Sequence, residues 1–318
     1  MSSRIPDFFI VGHHKSGTTA LYEMLRRHPQ IYMPDLKEPH FLASELASPS
    51  QTVGKTRHPQ TLEEYLALFE AAGPERRVGE ASATYLWSRT AAGRIAELQP
   101  GARIIAILRE PASFLRSLHL TYLRINFEDE KDLRKAMSLE PARREGKRIP
   151  ARSRMPALLQ YSDQVHYVEQ LTRYREMFSP EQMLVLIYDD FLSDNETTLR
   201  TVLRFLGVDD EQSLQPIHAN VTTWAVRSQQ TEDLLRSVAL GRGGLSRLAK
   251  TATKAVTTRR LRHVAMRAIR RRVVVSEPPP PDQELMLELR RRFKPEVVAL
   301  SEYLGRDLAA LWGYDALD

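Results

Sequence analysis

In this 318-residue chain, Gly12 and Gly17 stand with four residues between them, one a lysine, and two threonines follow. Backbone N–H groups at the start of a helix bind anions, and glycine lets a loop wrap closely around a phosphate. In the ATP-binding version, G-x-x-x-x-G-K-[ST], a lysine after the second glycine reaches the β- and γ-phosphates, and the next hydroxyl holds magnesium. Here Thr18 takes the lysine's place, Thr19 follows, and the lysine, Lys15, sits at the loop crest beside Ser16. A hydroxyl at position 18 binds a phosphate oxygen but brings no charge to a γ-phosphate. Lys15, oriented by Ser16, is placed to neutralise a bridging or leaving oxygen. The arrangement suits a donor with one 5′-phosphate and a short group beyond it, such as a phosphosulfate, with no metal required.

Two further clusters carry chemistry. Arg109 ends the apolar run Ile104–Leu108, and Ser117 lies eight residues on, about two turns into a helix that starts at Pro111. The pair can converge on one anion, since arginine supplies a permanent, forked charge. An ion pair between Arg109 and Glu110 or another carboxylate is the other reading. The stretch KEPHF, 37–41, offers a carboxylate and an imidazole two residues apart. Either type can remove a hydroxyl proton from within hydrogen-bond reach. An ordinary glutamate titrates at about 4.3, so Glu38 needs burial to become more basic.

The stretches FFIVGHHKSGTTALYEMLRRHPQIYMPDLKEPHFL and RIIAILREPASFLRSLHLTY, with FSPEQMLVLIYDDF and LSEYLGRDLAALW, carry a resemblance over most of the chain. It resembles the 3′-phosphoadenosine 5′-phosphosulfate-dependent sulfotransferases, and among them bacterial relatives of the carbohydrate, heparan-sulfate-like branch. The resemblance implies that the Lys15 loop, with Gly17, Thr18 and Thr19, holds the 5′-phosphosulfate. It implies that Arg109 and Ser117 hold the 3′-phosphate, and that adenosine 3′,5′-bisphosphate is the product. Glu38 becomes the general base and His40 a supporting residue on the acceptor side. NVTTWAVRSQQ, 220–230, is similar to a segment that brings an arginine near the nucleotide, here Arg227. GEASATYL, 79–86, resembles the family's next rim segment, but Ala81 stands where many relatives carry a lysine. A catalytic cation is thus missing there, which disfavours a glycosaminoglycan acceptor, and Lys37 is the substitute at hand. Ser82 and Tyr85 lie on the same segment, within reach of donor or acceptor or simply packed. The implied acceptor is a hydroxyl of a sugar, a glycolipid or a small metabolite.

The elements that must position these groups follow from periodicity. Phe8–Val11, Arg77–Glu80, Ile104–Leu108 and Met183–Tyr188 read as short buried strands. Helical spacing follows each loop: from Ala20 to Leu25, over Thr90–Leu98, from Pro111, over Ala157–Met177, and from Ser193 or Asp194 to a stop at Gly207. Such alternation predicts an α/β, P-loop-type three-layer fold, a mostly parallel central sheet flanked by helices. Ligands bind such sheets at the carboxyl ends of their strands, which gathers Gly12–Thr19, Arg109 and the segment after Glu80 on one rim. We read 1–318 as a single domain, with 128–156 as a mobile excursion and two last helices, Asp282–Phe293 and Pro295–Leu304.

Composition bounds the rest. With no cysteine, disulfides and thiolate metal sites are excluded. The first residues carry no secretory signal and no apolar run is long enough to span a bilayer, which predicts a cytoplasmic protein. Net charge is +6, yet eleven Lys and Arg and no acidic residue fall within 237–276, leaving the remainder net acidic. The helical basic stretch 247–272 reads as a solvated face, as an entrance that steers anions, or as a contact with acidic membranes. It lacks the stacking aromatics of single-strand nucleic-acid binders, so no nucleic-acid partner is expected. The rival enzyme is a P-loop kinase, which Thr18 in place of the lysine disfavours. The rival non-enzyme is a membrane- or nucleic-acid-binding protein acting through 247–272.

Overall fold

A computed structural model describes residues 4–46, 52–53, 56–153, 155–211, 225–226, 275–276 and 280–317. Arg227 and the basic stretch 247–272 lie outside the described residues.

Five strands form the central sheet: β1 (Phe8–Gly12), β2 (Ile31–Tyr32), β5 (Arg77–Ala81), β6 (Arg103–Leu108) and β7 (Met183–Ile187), with a small hairpin of β3 (Thr52–Val53) and β4 (Thr56–Arg57) outside it. The order is β2-β5-β1-β6-β7 and every pairing is parallel. β1 is therefore the switch point: the chain runs out to β2, returns at β5, then crosses to β6. Loops at the carboxyl end of β1 open into the crevice that such a reversal leaves.

β1 and β6 are buried on both faces, which is why they read as unbroken apolar runs. Their side chains still alternate. Phe9, Val11, Ile104, Ala106 and Leu108 enter one core, and Phe8, Ile10, Ile105 and Ile107 the other. The first core packs under α3 (Ala91–Leu98), α4 (Pro111–Ile125), α7 (Tyr167–Arg175), α10 (Gln283–Leu304) and α11 (Leu308–Trp312). The second lies under α1 (Thr18–Leu25) and α9 (Asn195–Leu206). This is the three-layer arrangement expected from the sequence, with an all-parallel sheet.

Helix ends follow their capping chemistry. Pro111 opens α4 while the Glu110 carboxylate accepts from the N–H groups of Ala112 and Ser113. Asp194 caps α9, and Gly207, with φ 68°, ends it in the left-handed conformation. Among the described residues no helix is long and apolar enough to cross a membrane.

Two expectations are corrected. α10 is one helix of 22 residues with Pro295 inside it. Its buried face, Leu289, Phe293, Val297 and Leu300, continues past the proline, and that packing outweighs the single lost backbone bond. The stretch from Ala157 is not helical throughout: 3-10 turns at Pro156–Leu159 and Ser162–Val165 precede α7. Side-chain amides tie these turns in, Gln164 donating to the Leu158 carbonyl within them and Gln160 to the Glu140 carbonyl of α6. The segment 128–156 carries α5 (Leu133–Ser138) and α6 (Glu140–Arg144), and a fully buried ion pair ties Arg143, within α6, back to Glu128 at the segment's start.

Candidate active site

The loop after β1 turns into α1 at Gly17, whose φ is 88° and whose missing Cβ would lie 2.9 Å from the Phe191 ring. A side chain there is excluded twice, by conformation and by space. Thr18 and Thr19 begin α1, Thr18 buried and Thr19 exposed, and no acidic residue occupies its first turn. The helix N-terminus therefore keeps its positive end open to an anion. Ser16 is buried and its hydroxyl donates to the carbonyl of His14 at 3.3 Å, which braces the loop beside Lys15.

Lys15 and Arg109 come together across the rim. Arg109 Nη1 donates to the Lys15 carbonyl oxygen at 2.9 Å, its guanidinium lies 4.8 Å above the Tyr188 ring, and its own carbonyl accepts from Tyr167 Oη at 2.9 Å. Glu110 is engaged elsewhere, as the α4 cap and as acceptor from Tyr314 Oη. Among the described residues no carboxylate pairs with Arg109, so the ion-pair reading is set aside. Ser117 is buried within α4, two turns along the helix that Arg109 precedes.

Burial, then the charges of Arg124 and Arg109, push the Lys15 ammonium down to about 8, while Glu38 pulls it back up. Several cations gathered against one another are a costly arrangement that a bound polyanion relieves. Arg124 was not singled out from the sequence. It stands seven residues after Ser117 on α4, two turns along the same face, and that spacing is the signal that finds it.

The second wall of the crevice is the segment 37–42, pinned to the loop after β5. Glu38 N donates to the Ala81 carbonyl at 2.9 Å, His40 N to Ser82 Oγ at 3.2 Å, and Leu42 N to Tyr85 Oη at 3.1 Å. The side-chain hydroxyls of Ser82 and Tyr85 thus accept from backbone N–H groups of this segment. His40 Nδ1 lies 2.8 Å from Thr84 Oγ1, its Nε2 is 3.7 Å from Glu38 Oε2, and its ring stacks on His58. Either ring tautomer satisfies the Thr84 contact, and at 3.7 Å Nε2 lies beyond hydrogen-bond reach of the carboxylate. Burial pushes His40 down to about 4, against the pull of Glu38.

The expected rise in Glu38 basicity does not occur. Burial pushes its carboxyl up, but Lys37, His14 and His40 together outweigh burial and bring it to about 2. The decisive contact is Lys37 Nζ to Glu38 Oε1 at 2.5 Å. Behind this pair Glu80 is fully buried, accepts from Tyr65 Oη at 3.0 Å, and is raised by burial to about 7.

Five non-glycine residues among those described have φ in the left-handed region, and three are Lys15, Glu38 and His40, with φ of 60°, 60° and 56°. Each such residue costs on the order of 1–3 kcal/mol and persists only where its surroundings over-determine it. The hydrogen bonds to Ala81, Ser82 and Arg109 are those surroundings.

Residues 6–212 match the model of the sulfotransferase family. Carbohydrate sulfotransferase 15 of Mus musculus is 26% identical over 249 residues, covering 64% of this chain and 44% of that protein. The human bifunctional heparan sulfate N-deacetylase/N-sulfotransferase 3 is 29% identical over 209 residues, covering 64% of this chain and 22% of that one. The chain thus spans less than half the length of these curated relatives. A sulfotransferase of Alicyclobacillus acidocaldarius shares the fold, with a TM-score of 0.67 at 24% identity over 96% of this chain and 98% of that one. By the match over residues 6–212, more than half of its length, this chain belongs to the sulfotransferase family.

Proposed function

We propose that this chain moves a sulfuryl group from 3′-phosphoadenosine 5′-phosphosulfate to a hydroxyl acceptor in one in-line step. The acceptor oxygen forms a bond to sulfur as the bond from sulfur to the 5′-phosphate oxygen breaks. The acceptor's proton passes to Glu38, and adenosine 3′,5′-bisphosphate leaves. Lys15 and the N–H groups around Gly17, with Thr18 and Thr19, stabilise charge on the departing phosphate. Arg109 and Ser117 hold the 3′-phosphate, and His40 is a supporting residue on the acceptor side of Glu38. No step calls for a metal ion. The observation that carries the reading is the link between Arg109 and Lys15, which joins the two phosphate motifs into one cationic crevice facing Glu38.

Lys37 has a place in the same scheme. Paired with Glu38, it keeps the carboxylate a weak base. Attracted instead to the sulfuryl oxygens of a bound donor, it would release Glu38 and supply the cation that Ala81 cannot. Base strength would then rise only with donor in place.

The test is calorimetric titration in metal-free buffer. Adenosine 3′,5′-bisphosphate should bind without magnesium, and Lys15→Ala should abolish that binding. Preference for magnesium-ATP would overturn the reading in favour of phosphoryl transfer. Incubation with radiolabelled donor and a panel of hydroxylated compounds should then yield a labelled product.

A further inference from the structure

One helix underlies both phosphate motifs. Tyr167 and Gln170 stand three residues apart on α7 and so share a face. Tyr167 Oη donates to the Arg109 carbonyl at 2.9 Å. Gln170 Oε1 lies 2.6 Å from Nε2 of His13, two residues before Lys15. The two side chains are 0% and 1% exposed, so neither meets a ligand, and both act through the residues they hold.

Chemistry fixes the direction of the His13 bond. Gln170 Nε2 lies 3.3 Å from the carbonyls of Asp163 and Gln164, which only accept, so that atom is the amide donor. Oε1 therefore faces His13, and the imidazole proton sits on Nε2. Burial pushes His13 down to about 3, against the pull of Gln170, so the ring stays neutral near pH 7. Nδ1 is then a buried acceptor with no partner. Such atoms are rare in folded proteins and ask for a functional reason.

His13 is the root of the phosphate loop. Its N–H donates to the Ile107 carbonyl of β6 at 2.8 Å, and its carbonyl accepts from the Ser16 N–H at 3.3 Å. Its ring centroid lies 5.1 Å from that of Phe114 on α4, edge-on, and 5.2 Å from that of Tyr167. The crest of the loop is held by Arg109 on the Lys15 carbonyl. The contacts close a ring: α7 to His13 through Gln170, His13 to Lys15 along the loop, Lys15 to Arg109, and Arg109 back to α7 through Tyr167.

We propose that Gln170 and Tyr167 are positioning residues for the nucleotide, setting Lys15 against Arg109 from beneath without touching the ligand. The assignment rests on the donor-site reading above and names the residues that preorganise that site.

Calorimetric titration of adenosine 3′,5′-bisphosphate against the full chain tests this, with the fold of each variant read by circular dichroism and urea denaturation. A misplacement of about 1 Å can cost on the order of a hundredfold. Gln170→Leu should weaken binding about tenfold or more, and Tyr167→Phe, which removes one oxygen and keeps the ring, about threefold or more. His13→Phe keeps a ring and loses the Nε2 donor. Combined with Gln170→Leu it should cost no more affinity than either change alone, because both break one contact. Lys15 supplies a readout that a merely structural role would not move. Burial, Arg124 and Arg109 push its ammonium down to about 8, against the pull of Glu38. A loop released by Gln170→Leu lets Lys15 leave that surrounding, so the pH at which affinity falls should move toward the ordinary lysine value of about 10.4. Lost stability with affinity and its pH midpoint unmoved in Gln170→Leu and Tyr167→Phe overturns the proposal, as do strictly additive losses in the double variant. Should Gln170→Leu fail to fold, the affinity of Tyr167→Phe decides alone. Absence of nucleotide binding in the unaltered chain overturns the donor reading and this assignment together, whereas binding indifferent to the variants overturns this assignment only.

Discussion

Arg109 Nη1 donates to the backbone carbonyl of Lys15 at 2.9 Å, so the residue that closes β6 also holds the crest of the loop that follows β1. Two motifs ninety-four residues apart are thereby one device. Arg109→Lys keeps the charge and loses the planar fork that serves the carbonyl and an anion together. A hydrogen bond to a charged group is worth about 1.5–3 kcal/mol. Affinity for adenosine 3′,5′-bisphosphate should therefore fall by roughly tenfold to a hundredfold. Calorimetry checks this, and an unchanged dissociation constant would leave Arg109 with a structural role only.

Glu38→Gln keeps the shape of the side chain and removes the proton acceptor. Turnover should fall by about 10²–10⁴-fold, while nucleotide affinity holds or tightens because a negative charge near Lys15 is gone. Lys37→Met takes away the largest lowering influence on Glu38, so its pKa moves up from about 2. The acid limb of the kcat/KM profile, which reports the free enzyme, should shift to higher pH with it. An acid limb in the same place would dissociate Lys37 from the base.

How much of this is legible without coordinates depends on which forces oppose each other. β1 and β6 are plain in the sequence because both faces are buried and no polar alternation interrupts them. The loop is plain because Gly12, Lys15 and Gly17 each have one good physical use. The 3-10 turns before α7 are not, since the side-chain amides of Gln164, on the Leu158 carbonyl, and of Gln160, on the Glu140 carbonyl of α6, tie the stretch in without a periodic trace. Pro295 misleads because local backbone chemistry argues for a break and the buried face of α10 decides otherwise. At Glu38, adjacency to Lys37 is visible, but burial and pairing pull its pKa in opposite directions, and only the 2.5 Å contact tells which wins.

Lys15 gives the free protein a titration inside the working range. Its ammonium is pushed down to about 8, against about 10.4 for an ordinary lysine. The protonated form is the one that grips an anion, so it is fully present below that pH and lost as pH rises through it. Affinity for adenosine 3′,5′-bisphosphate should fall between pH 7 and pH 9 in titrations at fixed ionic strength. Lys15→Arg, charged throughout, should flatten the profile even if it binds more weakly. A wild-type profile already flat to pH 9 would mean that Lys15 does not face the nucleotide.

Glu128 and Arg143 form a fully buried, two-pronged ion pair, with contacts of 2.7 and 2.8 Å, and the carboxylate also accepts from Tyr161 Oη at 2.9 Å and from the N–H groups of Asp129 and Glu130. Burial pushes the Glu128 carboxyl up, but its bonds to Arg143 outweigh that and hold it below its ordinary value. Arg143→Leu leaves a buried carboxylate with its main partner gone, which typically costs about 3–5 kcal/mol. A carboxyl lowered in the folded state contributes stability above its unfolded pKa and loses it as pH falls. The gap between variant and parent should thus be widest near neutral pH and narrow toward pH 4, where a protonated Glu128 needs no counter-charge. The double variant Glu128→Leu with Arg143→Leu should recover much of the loss, because it removes both charges together. Urea denaturation of the parent and the two variants at pH 7 and pH 4.5 measures each difference. Equal destabilisation at both pH values would assign the effect to lost packing of the arginine stem rather than to the stranded charge.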